Sequence, residues 1–211
     1  MNEIYGKKIG MTQIFLEDGK AVPVSVIKSG NLKVTQIKKT EKEGYNSYQL
    51  GLVEDDGKKI RHKKPQLNHL KKAKALDTKF LKEVRIDDIS HFKLGDVIEL
   101  ESIIKEGDLV DVTGTSIGRG FAGTIKRYGF HGGRKTHGSR FHRAPGSIGL
   151  CRPTRTIKGR KLPGQMGNER VTIKKLRVVK IYKDKNLILI RGGVPGSKNS
   201  NLIIRKCISQ G

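Results

Sequence analysis

The chain has no tryptophan, two cysteines (Cys151 and Cys207) and six prolines in 211 residues, and aromatic side chains make up only 5% of it. Two cysteines cannot build a disulfide framework, so reduced thiols in a cytosolic compartment are expected. Long apolar runs are missing too. Leu187-Ile188-Leu189-Ile190 ends at Arg191, whereas a membrane-spanning helix needs about 20 apolar residues. The opening Met1-Asn2-Glu3-Ile4-Tyr5-Gly6-Lys7-Lys8 lacks the apolar stretch of a secretory signal. Membrane and secreted readings are therefore set aside.

Negative charge is the scarcest commodity. Lys and Arg number 44 against 20 Asp and Glu, a net charge of +24. From Val112 to Asn168, 57 consecutive residues contain no carboxylate. That stretch holds twelve cations: Arg119, Lys126, Arg127, Arg134, Lys135, Arg140, Arg143, Arg152, Arg155, Lys158, Arg160 and Lys161. A second stretch, Lys58–Glu83, has ten Lys and Arg against Asp77 and Glu83. A surface charged for solubility intersperses both signs. Segregated positive charge points instead to a polyanionic partner, and nucleic acid is the leading choice.

The remainder reads as a nearly neutral β body. Val22, Val24 and Val26 alternate, as do Leu32 and Val34, then Tyr48, Leu50 and Leu52. Gly95–Leu100 and Asp108–Val112 read as further strands. Val178–Tyr182 and Leu187–Arg191 form a hairpin around Lys183-Asp184-Lys185-Asn186. Val171, Ile173, Lys175 and Arg177 hold no single face. Short strands between turn residues favour a small barrel or sandwich. The predicted layout is a mainly β body over 1–111 and 169–211, with 112–168 inserted as an extended loop. Within the body, 58–83 is a basic, partly helical insertion, its helix starting near Pro65 and running toward Leu76.

The 112–168 stretch contains 13 glycines and few apolar residues, too little to offset its ordering entropy by burial. Glycine admits close backbone approach, arginine forks onto phosphates, and rings such as Phe121 or Tyr128 can stack on unpaired bases. Folded RNA suits such a segment better than duplex DNA, whose readers present a regular element to the major groove.

Rival chemistries fit less well. Gly118-Arg119-Gly120-Phe121-Ala122-Gly123 spells G-x-G-x-x-G, yet more glycines follow where the dinucleotide fold needs a helix, and no acid appears before Glu169. The spacing of His131, His137, His142 and Cys151 matches no compact zinc module. Ser139 lies between His137 and Arg140, with no carboxylate in the segment to orient an imidazole. No catalytic residue, metal or cofactor is expected. An RNA-modifying enzyme, tested at Cys151, and a free-standing RNA chaperone or nucleoid protein are the alternatives.

Asp111-Val-Thr-Gly114-Thr-Ser116-Ile-Gly118-Arg119-Gly120-Phe-Ala-Gly123-Thr-Ile-Lys-Arg127 closely resembles the signature of the universal large-subunit ribosomal protein three family. Thr136-His137-Gly138-Ser139, Arg143-Ala-Pro145-Gly146-Ser147-Ile148-Gly149 and Gly164-Gln165-Met166-Gly167-Asn168-Glu169-Arg170-Val171-Thr172 resemble its bacterial branch. The opening Gly6–Phe15 and the closing Gly192–Gly196 agree. The resemblance implies a translation-factor-like β-barrel with an RNA-penetrating extension. It implies a structural constituent of the large subunit, cytoplasmic and ribosome-bound, that binds 23S-type rRNA near its 3′ end and nucleates assembly. Its expected neighbours are large-subunit proteins fourteen and nineteen, with no DNA or membrane partner. The twelve cations, with His137 and His142, would contact rRNA. Gly164, Gln165, Met166 and Gly167 would form a loop tip near the peptidyl transferase centre, with Gln165 a candidate N-methylation site.

Overall fold

A computed structural model of the chain describes residues 2–53, 60–86, 89, 91–98 and 103–207. It is mainly β and divides into two compact units, Met1–Thr115 with Arg170–Gly211, and Ser116–Glu169.

In the first unit, β1 (Glu3–Phe15) and β2 (Ala21–Lys28) form a hairpin, followed by β3 (Leu32–Lys38), α1 (Thr40–Glu43) and β4 (Ser47–Val53). Next come α2 (Lys64–Lys72), β5 (Thr78–Arg85), β6 (Val97–Ile98) and β7 (Leu109–Thr115). The second unit contributes β8 (Gly120–Ala122), α3 (Thr124–Tyr128) and β9 (Gly164–Met166), and the chain returns to the first with β10 (Arg170–Tyr182), β11 (Leu187–Arg191) and β12 (Asn201–Lys206).

Six strands close into a barrel in the order β1-β12-β7-β10-β11-β2, every pairing antiparallel. Closure removes the free edges that would otherwise invite pairing with another chain. Ile4, Val24, Val110, Val112, Val178, Ile188, Ile190, Leu202 and Ile204 are buried, as the period-two alternation of these strands requires. The remaining body strands form a separate four-stranded sheet, β5-β4-β3-β6, so the body is a barrel plus a second sheet and not a barrel throughout. Leu32, Val34, Tyr48, Leu50, Leu52 and Ile98 of this sheet share one apolar core with the barrel. Tyr5 of β1 meets Phe80 of β5 edge-to-face, with ring centroids 5.6 Å apart.

One stretch departs from the sequence reading. The basic segment 58–83 is not a single insertion: α2 stops at Lys72, and Thr78–Glu83 belongs to β5. Pro65 sits in the first turn of the helix, and Lys71 and Lys72 complement its C-terminal dipole. Leu70 packs with Ala73, Ala75 and Leu81, and His69 Nε2 lies 2.7 Å from Gln49 Oε1 on β4. Thr78 Oγ1 then donates to Ala75 O at 2.7 Å, closing the turn that redirects the chain into β5. Lys58 and Lys59 at the segment's start, and Glu99 and Leu100 at the end of the expected strand Gly95–Leu100, lie outside the described residues.

The irregular face read in Val171–Arg177 lies in β10. The face lost among Val171–Arg177 is a register shift between Ile173 and Leu176, with Lys175 at φ +56°. Such a bulge moves successive side chains off strict alternation.

Candidate nucleic-acid interface

The second unit has little with which to bury itself. Ala122 and Thr124 are its buried residues, while Ile117, Phe121, Phe141, Ile148, Leu150 and Ile157 are exposed. Backbone pairing supplies the frame. Ser116 N–H donates to Glu169 O at 2.8 Å, and Arg119 N–H to Met166 O at 2.8 Å. Then β8 and β9 pair antiparallel, Gly120 opposite Met166, Phe121 opposite Gln165 and Ala122 opposite Gly164.

Gly164-Gln165-Met166 is thus strand β9 of a short antiparallel pair, and the chain from Gly123 to Pro163 connects its two strands.

Beyond the hairpin, α3 ends at Gly129, whose φ of +72° lets its N–H reach back to Ile125 O. Gly133 N–H donates to His142 O at 2.8 Å and Ala144 N–H to Phe141 O at 2.8 Å, folding 130–144 back on itself. His137 and His142 both sit in left-handed backbone (φ +56° and +37°) and are exposed. Arg160 donates to Ser147 O, tying the two distal segments together.

Of the sequence-derived contact residues, Arg119, Lys126, Arg134, Lys135, His137, Arg140, His142, Arg143, Arg152, Arg155, Lys158, Arg160 and Lys161 are all exposed. Arg127 differs. It is half-buried, its Nη1 donates to Leu162 O at 2.9 Å, and its guanidinium lies 5.0 Å from the Tyr128 ring centroid. Lys161 Nζ approaches the same ring at 5.7 Å. Arg127 thus joins the two arms of the excursion. Gln165 is exposed, while Gly164, Met166 and Gly167 are half-buried. The one carboxylate of the unit, Glu169, stands at its root.

Phe121, one of the rings expected to stack, is 79% exposed on β8 opposite Gln165. One feature escaped the sequence reading, a cationic cleft in the first unit. Among the rival chemistries, Ser139 Oγ accepts from Phe141 N–H at 3.3 Å, and Cys151 is exposed.

Fold and surface together define a small, mainly β protein with a long cationic excursion between two of its strands. Residues 58–186 match the ribosomal protein L3 family. The chain is 50% identical over 206 residues to the large ribosomal subunit protein uL3 of Citrifermentans bemidjiense, covering 97% of this chain and 96% of that one. It is 46% identical to the protein of the same name from Geobacter sulfurreducens, with 97% of each covered, and 49% identical to that of Syntrophomonas wolfei, with 98% and 96% covered. The chain belongs to the ribosomal protein L3 family. It is accordingly a structural, ribosome-bound constituent of the large subunit that binds ribosomal RNA, and it is not an enzyme.

Proposed function

We propose that the chain is a primary binder of 23S-type rRNA near the 3′ end, that it nucleates subunit assembly, and that its Ser116–Glu169 excursion runs through folded RNA toward the peptidyl transferase centre. The observation that carries this reading is the excursion's surface: every cation named for RNA contact except Arg127 is exposed, and the only carboxylate is at the root. These side chains meet mostly phosphates, which position the protein without reading sequence. If about half of the twelve cations meet phosphates, log affinity falls with log salt at a slope of roughly −4 to −5.

In this reading the barrel is of the translation-factor type and docks on the RNA surface, beside large-subunit proteins fourteen and nineteen. The Gly164–Gly167 stretch shapes the excursion near the catalytic centre by packing, and the exposed Gln165 amide is open to N-methylation. The test is sedimentation of a tagged full-length chain from lysate at low salt and then at about 1 M, where loosely held basic proteins are screened away. Retention on the large subunit at high salt is the expected result. Release at that salt would overturn the reading.

A further inference from the structure

The first unit carries a second cationic feature. The wall of the barrel formed by β1, β12, β7 and β10 aligns two cross-strand rows through its register. Tyr5 opposes Ile203, Ile203 opposes Thr113, and Thr113 opposes Thr172. Beside that row, Glu3 opposes Arg205 and Arg205 opposes Asp111. These side chains alternate with Ile4, Leu202, Ile204 and Val112, which fill the interior, so the rows lie on the outer face of the barrel. Strand β5 of the second sheet stands over one end of this face through the Tyr5–Phe80 contact. Between them runs a cleft of about 600 Å³.

The charges lining the cleft are unevenly committed. Its carboxylates all have partners: Glu3 holds Arg205, Glu83 holds Lys38 and Ser47, and Asp111 accepts from Lys175 N–H and Cys207 Sγ–H. Lys82 and Arg170 are exposed at the cleft with no hydrogen bond or ion pair among the described residues, and Lys174, also exposed there, makes no hydrogen bond among them and interacts with Asp111 through charge alone. The Tyr5 hydroxyl, on a side chain with no exposed surface, also lacks a partner there and lines the same cleft.

We propose that this cleft is a second RNA site, separate from the excursion, in which Lys82, Arg170 and Lys174 clamp the phosphates of one RNA strand against the outer wall of the barrel. RNA is favoured over a small anion because the three cations are spread over two elements, β5 and β10, around a cleft of about 600 Å³, which suits consecutive phosphates. The two threonines at its floor, Thr113 and Thr172, share a hydroxyl contact of 2.8 Å and offer hydroxyl groups that a ribose could use. The inference rests on the chain's being an rRNA binder and adds a contact that the excursion does not supply.

The experiment uses the full-length chain carrying Lys82→Glu, Arg170→Glu and Lys174→Glu, with filter binding to large-subunit rRNA over a salt series and hydroxyl-radical footprinting of the RNA. Loss of three phosphate contacts makes the slope shallower by about 2 to 3 and removes one protected strand, while protections that depend on the excursion persist. The milder set Lys82→Gln, Arg170→Gln and Lys174→Gln should give the same change in footprint, and it decides the matter if the reversal set does not fold. Parental slope and footprint in a folded variant would overturn the proposal. A parallel set, Arg134→Glu, Arg140→Glu and Arg143→Glu, reports on the excursion alone, so failure of the cleft and failure of the excursion are read separately.

Discussion

Gly167 lies so close to Ile117 that a Cβ on the glycine would run into the Ile117 carbonyl oxygen, and its φ of +71° is a conformation that L side chains rarely adopt. The two residues belong to opposite arms of the excursion, next to the Arg119–Met166 hydrogen bond. A side chain at 167 would have to move backbone. Gly167→Ala is expected to cost about 1–2 kcal/mol from the left-handed backbone alone, before any clash. The damage should stay local. Hydrogen exchange at Arg119 and in the β8–β9 pair should accelerate, while amides of β11 and β12 remain as protected as in the parent. Equal loss of protection in barrel and excursion would contradict this account.

Arg127 separates bracing from RNA contact. Its bond to Leu162 O and its place over Tyr128 hold the arms together, whereas Arg134 and Arg143 are exposed. Arg127→Gln should raise protease sensitivity within 116–169 of the free protein. Arg143→Gln should leave that sensitivity unchanged and instead reduce the salt slope of rRNA binding by a little under one. Limited proteolysis beside filter binding reads both. Similar proteolysis of the two variants would remove the bracing role.

On the second sheet, hydrogen bonding from Lys38 holds the Glu83 carboxyl down at about 2, with Tyr45 and Ser47 assisting. An unfolded glutamate titrates near 4.3. A carboxyl depressed in the folded state contributes stability that is fully present above its unfolded pKa and is lost as pH falls through its folded value. The melting-temperature advantage of the parent over Glu83→Gln should therefore hold at pH 6 and shrink steadily between about pH 5 and pH 2. A gap that stayed constant across that range would show that Glu83 acts by packing alone.

The two thiols should react differently. Cys207 donates to Asp111 Oδ1 at 3.0 Å, and that hydrogen bond together with burial pushes its pKa up. Cys151 is exposed. Alkylation of the native protein at pH 8, followed by mass spectrometry, should label Cys151 well before Cys207. Asp111→Asn should speed labelling of Cys207, since it removes the charge that disfavours the thiolate. Labelling in the opposite order would show that the Asp111 contact does not persist in solution.

Parts of this structure could be read from the chain directly. The 178–191 hairpin is legible because its apolar residues alternate and Lys183–Asn186 supplies a turn, and the structure pairs Tyr182 with Leu187 around it. Other parts resist reading for physical reasons. Strand β1 carries Gly6, Lys7, Lys8 and Gly10, and its register shifts between Lys8 and Gly10, so no clean alternation marks it. Strand β5 was hidden by its lysines, which made 58–83 look like one basic segment. The split of the body into barrel and second sheet depends on which strands pair, and alternation within a strand does not encode its neighbours. The exposed cations of the excursion were legible from the missing carboxylates. The cleft was not, because Lys82 on β5 and Arg170 and Lys174 on β10 belong to different sheets and meet only in the folded body.

Thr115 and Arg170 are direct partners across β7 and β10, so replacing 116–169 with Asn-Gly would leave a two-residue hairpin between them. That replacement isolates the central claim, that the excursion supplies most of the attraction for ribosomal RNA. The measurement is the salt dependence of binding to large-subunit rRNA for the full chain and the shortened one, with circular dichroism to confirm a folded β body. The account predicts a folded shortened chain whose affinity falls by about a thousandfold or more at low salt, and whose slope is shallower by roughly 4 to 5. A folded shortened chain that bound with the parental affinity and slope would contradict it.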